Sequence, residues 1–203
     1  MRTYQKLLVG SLVLVGTIFA SAAHAAVVTY TFESPNFALG QTTPLTNVAP
    51  NIGPSSFLTT FTASPTTNGF VIANFQPNPL LSGLILYDPT APVDTLSIGF
   101  NQPVYGVALD FAVNQPGVFQ LSSSAGSASL DSANVGGEFE GGHFTFSSAT
   151  SFNSLNLTAL NAAGAPTLIA LDNLAVTVPE PATIALFGIG LAGLGFSRRR
   201  KRA

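Results

Sequence analysis

Between Tyr105 and Val113 every second residue is large and apolar: Tyr105, Val107, Leu109, Phe111 and Val113 alternate with Gly106, Ala108, Asp110 and Ala112. Successive side chains of a strand point to opposite faces, so a period of two marks a strand with one apolar side. Similar short runs recur at 27–32 (VVTYTF), 57–63 (FLTTFTA), 69–75 (GFVIANF), 82–87 (SGLILY), 95–100 (TLSIGF), 118–123 (VFQLSS), 154–160 (SLNLTAL) and 167–178 (TLIALDNLAVTV). Between them stand QPNP (76–79), DPTAP (88–92), NQP (101–103 and again 114–116) and NAAGAP (161–166), clusters of the residues that favour turns. No stretch of the body carries a 3.6-residue period. Many short strands with frequent turns predict an all-β fold, an antiparallel β-sandwich of jelly-roll or immunoglobulin-like type. The 203 residues suffice for one such body once the two ends are set aside.

That body has no cations. Arg2 and Lys6 precede it, Arg198, Arg199, Arg200, Lys201 and Arg202 follow it, and no Lys or Arg lies between Leu7 and Ser197. The same interval holds all nine acids: Glu33, Asp88, Asp94, Asp110, Asp131, Glu138, Glu140, Asp172 and Glu180. The net charge of −2 therefore conceals a uniformly acidic body, whose isoelectric point with both ends removed falls to about 3.5. Without Lys or Arg it cannot neutralise phosphates, which excludes nucleic acid and anionic lipid as partners. Divalent cations and neutral polymers remain compatible. With no Cys there is no disulfide, thiol nucleophile or zinc-thiolate site. Trypsin should leave residues 26–178 as one very large peptide; two or more tryptic fragments from within that interval would contradict the charge map.

The ends read as targeting segments. Residues 1–25 form a signal peptide: Arg2 and Lys6 make a positive start, Leu7 to Phe19 an apolar core, and Ala23-His24-Ala25 a small-residue site for a cut before Ala26. The body then spans 26–177. Residues 178–203 close the chain with VPEPA, a short apolar run and a basic tail. As a helix, the 15 residues from Ala182 to Phe196 span roughly 22 Å, short of the roughly 30 Å hydrocarbon core. The basic block stays cytoplasmic by the positive-inside bias, which leaves the body outside.

Val178-Pro179-Glu180-Pro181-Ala182, the Gly-rich apolar run and the terminal Arg/Lys cluster, in that order, resemble the PEP-CTERM protein-sorting signal. Pro179, Glu180 and Pro181 match that motif. The resemblance implies export by the general secretion machinery of a Gram-negative cell and transient anchoring through the C-terminal transmembrane helix. It further implies processing by exosortase, and delivery to the cell surface or an extracellular polysaccharide matrix. It assigns no role to the body.

Three groups of residues in the body merit attention. In GGEFEGGHFTF (136–146), a two-residue turn at Gly141-Gly142 would pair Glu140 with His143 and Glu138 with Thr145. Glu138, Glu140 and His143 would then share one exposed face, a possible secondary cation site. In the last run, Asp172 is in phase with Leu168, Ala170, Leu174 and Val176, so a regular strand aims it at an apolar face. A buried carboxylate needs a partner. Without Lys or Arg, the choices are a cation, backbone amides or a bulge that turns it outward. The pair Glu33 and Asp172 is similar to the structural calcium ligands of jelly-roll carbohydrate-binding modules, which makes Ca2+ the one cofactor to consider. Thirdly, sugar binding favours exposed aromatics, but Trp is absent, Tyr30, Tyr87 and Tyr105 are the body's tyrosines, and most Phe fall in phase with core faces.

No Gly-x-Ser-x-Gly elbow, His-Glu-x-x-His pair or phosphate-binding Gly-Lys loop is present, and His143 is the one histidine of the body. No catalytic residues are assigned. The expected function is a sorted, non-catalytic surface or exopolysaccharide-matrix protein. Its alternatives are a carbohydrate-binding module with structural calcium and, more distantly, a glycoside hydrolase.

Overall fold

The computed structural model describes residues 25–64, 69–89 and 95–179, and Val27–Val178 form one compact unit. The predicted signal peptide, sorting helix and basic tail lie outside the described residues. Ten strands follow in chain order: β1 (Ala26–Tyr30), β2 (Leu45–Val48), β3 (Thr59–Ser64), β4 (Val71–Asn74), β5 (Leu84–Tyr87), β6 (Thr95–Val113), β7 (Gly117–Ser123), β8 (Gly126–Asp131), β9 (Glu140–Asn161) and β10 (Ile169–Val178).

They make one hydrogen-bonded sheet that two long strands fold into two layers. The first half of β6 and the last half of β9 pair with each other (Leu96 opposite Leu157, Ile98 opposite Leu155), flanked by β3 on one side and by β7 and then β8 on the other. The second half of β6 pairs with the start of β9 (Leu109 opposite Phe144, Val113 opposite Glu140) and with β10, which leads on to β5 and β4. The register slips between Gly99 and Gly106, where each long strand crosses from one layer to the other. The sandwich expected from the alternation is present. The NQP at 101–103, however, is no turn: it lies inside β6. Its three residues are exposed and fall in the gap of the β6–β9 register, where Pro103 removes no ladder bond.

Rings from both layers fill the space between. Phe111 of β6 stacks on Phe119 of β7 at 4.4 Å and 17°, and Phe144 of β9 meets Phe119 edge-on at 5.2 Å. Tyr30, Phe32, Phe37 and Phe61 form a second cluster with centroids 5.0 to 6.2 Å apart. The Tyr30 hydroxyl accepts from Thr59 Oγ1 (2.6 Å) and donates to the Val48 carbonyl (3.4 Å), so the buried phenol is satisfied; burial pushes its pKa up to about 12.

A smaller core lies on the outer side of the second layer. Ala112 and Ala170 pair across β6 and β10, and Leu81 and Ile85 pack on them with Phe75, Leu80, Tyr87 and Phe139 around. The connection between β4 and β5 thus roofs the middle of that layer. Small residues at 112 and 170 leave room for the roof.

Candidate functional site

β10 bulges where the sequence predicts a regular strand. Leu171 lies opposite Phe111 and Val176 opposite Val107, so five steps on β10 match four on β6; the irregularity falls between Asp172 and Ala175, and Asn173 has φ of 53°. The extra residue reverses the phase. Asp172 therefore points to the outer side of its layer, beside Ala170, while Leu174 and Val176 face inward. It remains 1% exposed because the β4–β5 connection covers it.

Under that roof the structure brings Asp172 and Glu33 to one stretch of backbone. The Ser82 amide donates to Asp172 Oδ2 (3.1 Å), the Asn173 amide to Asp172 Oδ1 (2.7 Å) and the Leu84 amide to Glu33 Oε1 (2.7 Å). Three of the four oxygens of the pair accept backbone N–H bonds. Asp110 stands opposite Asp172 on β6; its Oδ2 accepts from Asn173 Nδ2 (2.9 Å) and its Oδ1 lies 2.8 Å from His143 Nδ1. Burial is the main cause that raises the Asp172 pKa to about 6, and the charges of Asp110 and Glu33 add to it against the pull of the two amides.

Glu138, Glu140 and His143 do not share a face. Gly141 and Gly142 are strand residues, opposite Ala112 and Phe111, and the predicted hairpin does not exist. Glu140 lies opposite Val113, in phase with inward-facing Phe144, whereas His143 lies opposite Asp110 on the outer side. Glu138 belongs to the loop before β9. Among the described residues no three His, Cys, Asp or Glu side chains gather closely enough to hold a metal ion.

The two glutamates instead share a cleft of about 250 Å³ at one end of the sandwich, lined also by Asn114, Pro116, Asn134 and Phe139. The amides of Glu138 and Phe139 donate to the Pro77 carbonyl (2.9 and 3.0 Å), which fixes this wall against the β4–β5 connection. A Cβ on Gly137 would fall 2.7 Å from Asn78 Cα and 2.8 Å from the Pro77 carbonyl, and φ there is 95°, so only glycine lets the loop lie so close. Gly117 N donates to Ser132 Oγ (2.9 Å), which donates to Glu140 Oε2 (2.7 Å). Asn114 Oδ1 accepts from Thr167 Oγ1 and the Leu168 amide, and Asn134 Oδ1 from the Gly136 amide (3.0 Å). Sequence reasoning passed over both asparagines; the Asn-x-Gly spacing at 134–136 was the available sign of a side chain held by its own turn.

Of the three tyrosines, Tyr30 is wholly buried, Tyr87 half-buried and Tyr105 36% exposed. Pro179 follows β10 directly and is exposed, while Glu180 and Pro181 lie outside the described residues.

None of the curated proteins matches the chain. Among solved structures, a variant of a family 29 carbohydrate binding module is 10% identical with a TM-score of 0.36, the match covering 76% of this chain and 93% of that one. The enzymatically active domain of bacteriophage CBA120 tailspike protein 4 is 14% identical at 0.34, over 60% of this chain and 19% of that one. The catalytic domain of an alpha-1,3-glucanase in complex with tetrasaccharides is 12% identical at 0.36, over 71% and 30%. Likeness at such TM-scores transfers no property of those proteins to this one. Residues 177–201 are another matter: they match the PEP-CTERM protein-sorting motif, starting in the last two residues of β10 and including Pro179, Glu180 and Pro181, so the chain carries that sorting motif.

Proposed function

We propose that this protein is exported, held transiently in the inner membrane by its C-terminal segment, processed by exosortase, and released to the cell surface or the extracellular polysaccharide. There its β-sandwich body acts without catalysis. The sorting motif carries this reading, since it begins where the last strand of the body ends. The charge map supports it. A body free of Lys and Arg does not adhere to phosphate-bearing lipids or nucleic acids, as suits a component of a neutral polymer matrix. The one body histidine is engaged with Asp110 on the outer side of the sandwich, away from Glu140.

The test is the intact mass of the protein recovered separately from membranes, periplasm and medium of its host. Loss of about 25 N-terminal residues and of everything beyond the Pro179-Glu180-Pro181 region is the expected result. A mature membrane form that retains Arg198 to Ala203 would make the tail a permanent anchor and overturn the sorting. Turnover of a chromogenic glycoside that disappears in Glu138→Gln or Glu140→Gln would overturn the non-catalytic body.

A further inference from the structure

We propose that the cleft between the β6–β7 turn and residues 134–140 binds one unit of a neutral polysaccharide. What counts is which polar atoms of the lining residues are left to bind. A backbone N–H needs an acceptor, so the bonds from Leu168 and Gly136 engage the amide oxygens of Asn114 and Asn134, two residues that line the cleft. Each carboxamide keeps its NH2 group to offer a ligand. Glu140, which lines the cleft, is held through Oε2 by Ser132, itself held by Gly117, and Oε1 makes no hydrogen bond among the described residues. The side chain of Glu138 makes no hydrogen bond among the described residues, and the residue is exposed. Phe139, packed edge-on against Phe75 at 5.6 Å, supplies an apolar patch beside them.

Two fixed N–H donors and two carboxylates within one sugar-sized hollow match a pair of neighbouring hydroxyls, each of which donates to a carboxylate and accepts from an amide. Other ligand classes fit less well. A metal ion needs oxygens, and the carboxamides have hydrogens to offer. An anion would meet two carboxylates with no Lys or Arg to offset them. Three of the four polar groups are positioned before any ligand arrives, which lowers the ordering cost of binding. The choice of polymer rests on the extracellular destination proposed above; the cleft chemistry does not.

The full chain in a sugar-free detergent is titrated calorimetrically with glucose hexamers linked β-1,4, β-1,3 and α-1,4, with a galacturonic acid hexamer, and with CaCl2. Saturable binding of at least one neutral hexamer and none of the acidic one is expected. Asn134→Asp keeps the acceptor for the Gly136 amide but replaces the NH2 donor with an oxygen, and should weaken binding about tenfold or more. Glu138→Gln should do the same, while Asn156→Lys, on the outer face of the other layer, should change nothing. No saturation by any neutral hexamer up to about 10 mM, undiminished binding in both cleft variants, or calcium binding lost in Glu138→Gln without hexamer binding would each overturn the proposal. None of these would alter the mass of the mature protein, so the sorting would stand or fall separately.

Discussion

Acidification from pH 7 to about 4.5 should make this protein harder to unfold, the reverse of ordinary acid denaturation. Asp172 is the reason. Asp172 is 1% exposed, with Asp110 opposite and Glu33 on the same backbone segment, and the body has no Lys or Arg to offset them. Burial first, then those charges, raise its pKa from 3.8 to about 6. Between these values the folded protein holds a proton that the unfolded chain has lost. Stability therefore falls as pH rises through this window and is fully present below the unfolded value. A rise of this size corresponds to on the order of 3 kcal/mol. Repulsion among the other carboxylates acts in the same direction. The urea midpoint of the mature protein, followed from pH 7 to 4.5, should rise. In Asp172→Asn most of that rise should vanish, since the side chain no longer titrates. A wild-type midpoint that falls over the same range would show that Asp172 is ionised at no cost, and the buried geometry described for it would be wrong.

Asp172 also shows what one sequence can and cannot reveal. The demand for a partner was legible, because an acid in phase with Ala170 in a chain without Lys or Arg has few options. The solution, two backbone amides and a bulge at Asn173, depends on Ser82, which the chain brings from 90 residues away. No local pattern encodes that. Most strands were legible for the opposite reason, since β1, β3, β4, β7, the first half of β6 and the second half of β10 each bury alternate residues of their own run. β2 and β8 were not: LTNV is short, and GSASLD at the end of its layer buries too little to carry an apolar period. The lengths of β6 and β9 were hidden as well. A strand that changes layers must bend, and the sequence of a bend, NQP, looks like that of a turn. The cleft was half legible: its glutamates stood out as charges, and its asparagines did not, because their importance lies in which atom each turn consumes.

Gly141→Asn separates the structure from the hairpin that the sequence invites. In a two-residue turn of the type I′ class, Asn followed by Gly is the favoured pair, so the substitution would be harmless or slightly stabilising. In the structure Gly141 is a strand residue without positive φ, opposite Ala112. A Cβ there would land on the Phe111 carbonyl oxygen, itself part of the β6–β9 pairing, and on the buried Asn78 side chain. Neither neighbour can yield easily. Phe111 is locked by its stack on Phe119, and Asn78 Oδ1 accepts from the Leu80 amide (3.0 Å) beneath the roof. A loss of about 3 kcal/mol is expected, at the upper end of what overpacking costs. Gly99→Ala is the control, because a Cβ at Gly99 meets nothing within 4 Å, and its effect should stay within about 0.5 kcal/mol. Since Gly141 separates the cleft residue Glu140 from Gly142 in the β6–β9 pairing, any Gly141→Asn protein that folds should also bind the neutral hexamers more weakly. Wild-type stability in Gly141→Asn would restore the turn and, with it, put Glu138, Glu140 and His143 back on one face.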